Sequence, residues 1–535
     1  MSRRGGAGSP AAWTALAALA LTAAALWAVD ARFRFVGFDA DPIWYLEPAR
    51  NFGRGLGLVT RLMLPAQVAF FPEGFKPPVL FLHHGPLGPL LIGLAYKALG
   101  LADWVPLFVA FSMTLGTGVL LFLLGSAVGG RREALTAVAL FWSAFMIIEG
   151  NYHALTDPPF IFFITAAALI LWKGRAAWAK PYWYGVAGLA LGLACCTRLA
   201  GQSYWPGFIW GAWWLSRDWR RVAFFLAGLA LPMIGLSFYN HAAAGIWFYS
   251  PGFYVLNWSP SFPGFRSSTT YMGLTSFQAF LAYPLDFIQK ALTGPLYAIN
   301  RFVETSGDPY LMAVVVLSLL TRFTQPPSAE IFKSLVWILA LPVFAFNAVI
   351  SYGAVHYLDP LAPLFCLVAS LFVWKFIDEN VPWVKSRPAL GLALFAFLFL
   401  SREALEIKDH WKSRPRREAL YRDQQALGEF VRRHVGEDEI IYTDANRTVV
   451  WQGDRTAIAL TATMEDAEKT FKHLPPDALL LTSLRIHSDD YDQAWRDAFY
   501  KEQPVMGFAP IERFSSPNVR ALLLRRPEAK RRPRG

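Results

Sequence analysis

The chain has 535 residues, of which 55% are hydrophobic, 16% aromatic and only 17% charged. Soluble domains run near a quarter charged, which argues against an ordinary soluble enzyme and against the three or four soluble domains that ~150 residues per domain would suggest. The formal charge is +11, but no basic segment interleaved with aromatics is present, so no nucleic-acid partner is expected.

A membrane-spanning helix needs ~20 mainly apolar residues, because hydrocarbon offers exposed backbone groups no partner. Eleven such blocks are predicted, over 12–30, 103–126, 134–150, 158–173, 182–198, 203–216, 222–239, 309–322, 333–350, 359–377 and 388–402. The first follows Arg3 and Arg4, and Trp27-Ala28-Val29-Asp30 is a poor signal-peptide cleavage site, so it is read as a membrane helix. Basic residues then fall in alternate short loops: Arg131 and Arg132; Lys173, Arg175 and Lys180; Arg217, Arg220 and Arg221; Arg322 and Lys333; Lys375, Lys385 and Arg387. The opposite loops at 151–157, 199–202 and 351–358 contain neither Lys nor Arg. The positive-inside bias predicts a cytoplasmic N-terminus and accounts for much of the excess charge.

Segments 31–102 and 240–308 become large outer loops. Within the first, 86–99 is too short to span and is expected in the interface or as a re-entrant element. Residues 403–535 also fall outside the cytoplasm. There, helical patterns at 417–434, 465–472 and 489–500 alternate with strand-like runs at 439–442, 478–481 and 519–524. The expected organisation is a membrane domain over 1–402 and a small exoplasmic α/β domain over 403–535. The basic stretch 408–417 runs against the charge rule, which binds weakly after the last span. Cys195, Cys196 and Cys366 sit in apolar stretches and read as small buried hydrophobes, not a zinc site or disulfide framework. Trp205, Trp210, Trp213 and Trp214 read as interfacial and lipid-facing residues in preference to a sugar platform.

Ionisable residues at membrane depth are costly and mark function by default. Several fall on the outer face: Asp39 and Asp41 after the first span, and His83 and His84 before 86–99. Asp157 opens the fourth span, Arg198 closes the fifth, and His356, Tyr357 and Asp359 open the tenth. Converging helix ends would make a cavity suited to a lipid-borne anion and an acceptor from outside. A polyprenyl-phosphate sugar brings its own leaving group, a carboxylate can take the acceptor proton, and Arg, His and Tyr can hold the phosphate. No glycine-rich nucleotide cradle is present.

These residues fall into motifs that resemble the integral-membrane glycosyltransferases of the C-type (GT-C) fold, especially the protein O-mannosyltransferase and lipid A aminoarabinose transferase branch. Asp41-Pro42-Ile43-Trp44-Tyr45 keeps the branch's acid four residues before a tyrosine, and the run from Ala49 to Gly57 follows it. His83-His84-Gly85-Pro86-Leu87, leading to Gly100, has the spacing of its basic residue before Pro-Pro-Leu; Lys76-Pro77-Pro78 sits too early. Ala154 to Phe160 resembles the aspartate opening the fourth helix, and Gly192 to Arg198 its Gly-Leu segment ending in Thr-Lys. His356 to Pro363 resembles its Tyr-x-x-Pro-x-x-Pro opening of a late helix. The matching order runs over about 35–365.

The resemblance implies a polytopic α-helical membrane protein with about eleven transmembrane helices and a C-terminal exoplasmic domain. It implies a sugar transfer, with inversion, from a polyprenyl-phosphate donor to a lipid, glycan or protein acceptor at the outer face of the inner membrane. Asp41 would be the general base, Asp157 a supporting catalytic-site acid that orients acceptor or base, and Arg198, Tyr357 and His84 the phosphate contacts. Asp39, His83 and His356 would support them. Pro42 stands where the branch has a second acid. Asp39-Ala40-Asp41 is also an Asp-x-Asp, through which a divalent metal could bind; no other cofactor is expected. Plainer roles stay open: helix caps or dipole partners for Asp41, Asp157 and Asp359, interfacial anchoring for Arg198, Tyr357 and His84. A lipid-linked-sugar flippase without bond formation, or a scaffold that binds through its outer domain, would be the alternatives.

Overall fold

The computed structural model of the protein describes residues 10–38, 41–73, 75–176, 180–302, 309–323, 326–349, 358–381, 383, 386, 388–488 and 491–527. Among them, six helices are long and apolar enough to cross a bilayer: Pro10–Arg32, Trp104–Val128, Asp157–Gly174, Trp219–Ala244, Pro327–Ala348 and Asp359–Asn380. Leu87–Leu99, Tyr182–Thr197 and Leu311–Leu320 are apolar but shorter. Asp157–Gly174 and Asp359–Asn380 are mostly enclosed by their neighbours, whereas Trp219–Ala244 is buried on one side only. In Trp219–Ala244, Val222, Phe225, Leu229 and Leu236 are buried, whereas Phe224, Leu231, Ile234 and Phe238 stay exposed. An exposed apolar face on a helix of that length belongs in lipid. Its inner face meets Tyr182–Thr197 through glycines: a Cβ on Gly188 would overlap the Phe225 carbonyl oxygen, and one on Gly228 the Gly185 carbonyl. Without a hydrophobic drive between helices in lipid, such close backbone contact supplies the packing energy.

Several expected spans take other forms. The block 134–150 breaks at Ser143–Ala144 into helices Arg131–Trp142 and Phe145–Tyr152, because Ala144 is extended (φ −66°, ψ 122°). The block 388–402 and the polar helix expected at 417–434 form one continuous element, Pro388–His434, of 47 residues. Between the two blocks only Pro415 interrupts the pattern, and the helix passes through it. The 240–308 loop holds helices Gly252–Leu256, Ser276–Ala282 and Pro284–Phe302. The last exposes Leu285, Ile288, Leu292 and Leu296 along one face. On its other face, the buried Lys290 ammonium donates to the Val255 and Asn257 carbonyls at 2.8 and 2.6 Å.

Outside the bundle stands a six-stranded sheet. Naming all strands in chain order, β1 is Val59–Thr60, β2 Leu62–Met63, β3 Val79–Leu80, β4 Ile440–Thr443, β5 Thr456–Ala459, β6 Ala478–Thr482, β7 Ala509–Ser515 and β8 Arg520–Arg525. The order is β2-β5-β4-β6-β8-β7, parallel from β2 to β6 and antiparallel from β6 through β8 to β7. Every residue of β5 and β6 is buried, which is why the run Ala478-Leu479-Leu480-Leu481 is continuously apolar without alternation. The tail does not build this sheet alone. Leu62 and Met63 of the first outer loop pair with Ala457 and Ile458 and form its edge.

Candidate functional site

Three segments far apart in sequence converge at one end of the helix bundle. The helix Ile43–Gly53 starts just after Asp41, with Pro42 at its N-cap. The turn of His83, His84 and Gly85 leads into the helix Leu87–Leu99. The third segment joins Asp157, at the start of Asp157–Gly174, to Arg198, at the end of Tyr182–Thr197. Glycine makes the close approach possible. A Cβ on Gly85 would lie 2.5 Å from the carbonyl carbon of Cys196 and 2.9 Å from that of Thr197, and one on Gly88 would lie 2.6 Å from the Thr156 methyl. The His84 turn is therefore wedged between the Arg198 and Asp157 ends.

Asp157 and Arg198 form an ion pair through Oδ1 and Nη1, with side chains 13% and 9% exposed. A guanidinium carries five N–H donors, and the contact to Asp157 helps to orient it within the site. Arg198 leaves the helix in an extended conformation (φ −143°, ψ 129°), which carries its side chain across to Asp157. Asp41 differs: its side chain is 71% exposed, and Oδ1 lies 2.9 Å from Nη2 of Arg447. Tyr45 lies within electrostatic reach of Arg198, Asp157 and Asp41. Burial raises its phenol above the ordinary value; Arg198 opposes the shift, and Asp157 and Asp41 add to it. The hydroxyl keeps its proton and can only act as a neutral donor or acceptor.

The histidines stack into this wall. The His83 ring lies 4.1 Å from Trp44, nearly parallel, and hydrogen-bonds the Gln67 amide at 3.1 Å. Burial, with the Arg447 charge second, lowers its imidazole to about 3. His83 is therefore neutral at physiological pH, and its contribution is packing and hydrogen bonding. His84 sits 4.9 Å from the Tyr45 ring, and Tyr254 donates its hydroxyl to the His83 carbonyl at 2.5 Å. Asp359, also buried, opens the turn Asp359–Leu361 and, with Asp157 and Arg198, lies within electrostatic reach of Tyr204.

Of the residues singled out in the sequence, Asp41, His83, His84, Asp157 and Arg198 thus come together. Asp39, His356 and Tyr357 lie outside the described residues, and with Asp39 goes the Asp-x-Asp pairing. Among the described residues no group of three or more His, Cys, Asp or Glu gathers as metal ligands would. Sequence reasoning missed Arg447, Tyr204 and Tyr254. Tyr254 lies in the 240–308 loop, where no motif marks it, and Arg447 lies in the tail. The three cysteines are buried. Trp210 is 49% exposed, but Trp205 turns inward, its indole N–H 3.1 Å from Cys195 Sγ.

The chain is similar to known proteins mainly in architecture. A family model, dolichyl-phosphate-mannose-protein mannosyltransferase, matches residues 104–249, a segment holding both Asp157 and Arg198. The structure of ArnT from Cupriavidus metallidurans bound to undecaprenyl phosphate superposes with a TM-score of 0.59 at 12% identity, over 96% of this chain and 98% of that one. The fold is that of the C-type glycosyltransferases. The Archaeoglobus fulgidus oligosaccharyltransferase in complex with Zn and sulfate matches at a TM-score of 0.50 and 12% identity, over 87% of this chain and 67% of that one. No curated protein sequence matches. Within this fold, the three converging segments lie together at one set of helix ends.

Proposed function

We propose that the protein transfers a sugar from a polyprenyl-phosphate donor to an acceptor at the outer face of the membrane. The observation that carries this reading is the convergence, on one face, of an exposed carboxylate at Asp41 and a buried cation at Arg198, bridged by Tyr45 and His84. The partial family match and the C-type fold support it. Asp41 is the general base: it takes the acceptor O–H proton as the acceptor oxygen bonds to the sugar C1. The C1–O bond to phosphate breaks on the opposite side, inverting the anomeric centre. The leaving polyprenyl phosphate gains one negative charge, which Arg198 neutralises, helped by His84 and by Tyr357; Asp157 holds Arg198 in place. A donor that carries its own phosphate needs no nucleotide cradle. In this reading the N-terminus is cytoplasmic and the site faces outward from the inner membrane. The acceptor is a glycan, lipid or protein hydroxyl, and Asp39 and Asp41 are the pair through which a divalent ion would act.

The test is turnover of the purified full chain on a panel of undecaprenyl-phosphate-linked hexoses and pentoses, read as released undecaprenyl phosphate and new glycoside. Asp41→Asn should lower the rate by at least a hundredfold while undecaprenyl phosphate still binds. Full transfer by Asp41→Asn would sink the assignment. Movement of the labelled lipid across vesicles with no new glycosidic bond would make the protein a transporter.

A further inference from the structure

The outer sheet delivers a side chain into the candidate site. Strand β4 ends at Thr443, and the short helix Asn446–Trp451 that follows carries Arg447. The turn between them is tightly fixed. The buried Asp444 carboxylate accepts hydrogen bonds from the Thr482 backbone N–H and hydroxyl, both at 2.8 Å, at the end of the neighbouring strand β6. The Asn446 side-chain oxygen accepts the Arg447 N–H at 3.0 Å. From this base the Arg447 guanidinium reaches Asp41 at 2.9 Å and lies 5.7 Å from the Trp44 ring.

The other end of the same helix is pinned to the first outer loop. Arg50 donates to the Trp451 and Val450 carbonyls at 3.0 and 3.2 Å, and its guanidinium stacks 4.2 Å above the Trp451 ring. Asp454, just beyond, receives Arg50, Arg54 and Arg61 at 3.4, 3.1 and 3.4 Å. An exposed salt bridge alone is worth little. Three cations converging on one carboxylate, together with a stacked guanidinium and the β2–β5 pairing, form a fixed joint. The joint sets the distance between a helix of the tail and a loop of the membrane part, and Arg447 and Asp41 meet across it.

We propose that Arg447 is a positioning residue for Asp41, so that the outer sheet is a working part of the active site. This rests on Asp41 being the base of the proposed reaction. An exposed aspartate side chain has several open rotamers, and one fixed cation on Oδ1 selects the orientation that leaves Oδ2 to meet the acceptor proton. The contact to Asp41 asks mainly for a positive charge, so Lys can partly replace Arg at this position. A displacement of about 1 Å at a catalytic group costs on the order of a hundredfold in rate.

The experiment measures kcat and donor KM for Arg447→Gln, Arg447→Lys, Asp41→Asn and the Arg447→Gln, Asp41→Asn double variant, on whichever panel donor turns over. Thermal melts in detergent establish that each variant is folded, and the Lys variant serves if the Gln variant is not. The expected result is a kcat loss of about a hundredfold for Arg447→Gln with donor KM within twofold, and recovery to within about tenfold for Arg447→Lys. The double variant should be no slower than Asp41→Asn, because the two residues act as one unit. Wild-type kcat in folded Arg447→Gln or, where that variant does not fold, an Arg447→Lys kcat below a tenth of wild type overturns the inference while leaving the base assignment standing. So does a loss confined to donor KM, or a double variant whose losses multiply. Full activity in Asp41→Asn overturns both.

Discussion

Replacing Gly85 by Ala tests the geometry of the site without touching a candidate chemical group. The added carbon would lie 2.5 Å from the Cys196 carbonyl carbon, 2.9 Å from that of Thr197, and would overlap the Cys196 oxygen. Carbon atoms in contact sit at ~3.5–4.0 Å, so the turn bearing His84 must retreat from the end bearing Arg198 by at least about 1 Å. Backbone lies on both sides, so no side-chain rotation relieves the clash. Overpacking of this kind costs about 1–3 kcal/mol of stability, and a 1 Å error between substrate-holding groups costs on the order of a hundredfold in rate. The expected outcome is a folded protein with a lowered melting temperature and a hundredfold slower release of undecaprenyl phosphate from its donor. Gly235→Ala is the control. It lies inside the helix Trp219–Ala244, an added carbon there meets nothing within 4 Å, and the rate should be unchanged. If Gly85→Ala turned over at the wild-type rate, the His84 turn would not be part of the site, and the wedge between Asp157 and Arg198 would be packing alone.

Two further predictions concern pH, with opposite signs. The His83 imidazole is lowered to about 3 by burial first and by Arg447 second, against an ordinary value near 6.5. The unfolded chain therefore binds the extra proton, and the contribution of neutral His83 is present above about pH 6.5 and is lost as pH falls. His83→Phe keeps the ring against Trp44 but cannot protonate; its stability deficit at pH 7.5 should shrink at pH 5 in thermal melts, and a deficit independent of pH would contradict a neutral buried His83. Asp444 is the converse, raised to about 6 by burial while the Thr482 hydrogen bonds oppose the shift. Here the folded chain holds the proton, so stability falls as pH rises from about 4 to about 6, by about 1–3 kcal/mol. Asp444→Asn should flatten that slope in denaturation of the full chain followed by Tyr and Trp fluorescence, and an unchanged slope would place the titration elsewhere.

Much of the architecture was legible because the solvent wrote it into the composition. Apolar blocks of bilayer length marked the helices at Trp104–Val128, Asp157–Gly174 and Trp219–Ala244, since lipid demands a long apolar stretch whatever the helix touches. The motif order placed Asp41, His84, Asp157 and Arg198 at helix ends, and the structure draws them into one cluster. Local breaks were harder. Ala144 splits one apolar block and Pro415 fails to split a polar one, because bundle packing decides whether a break is tolerated. The helix Pro284–Phe302 was hidden in a segment read as loop, although Leu285, Ile288, Leu292 and Leu296 repeat on one face.

What the sequence by itself determined is the membrane class, the alternation of helices and strands in the tail, and the candidate acids and bases. What only the tertiary structure decided is who meets whom. The two-residue strand Leu62–Met63 is too short to signal itself, and it exists because Ala457 and Ile458 offer it a free edge. Arg447 is one of many tail arginines until β4, its Asp444 anchor and the Asp454 clamp set it 2.9 Å from Asp41. Composition and periodicity report on each residue's solvent and its neighbours a turn away, whereas a contact between distant segments depends on how both are held, and that is fixed only when the chain is folded.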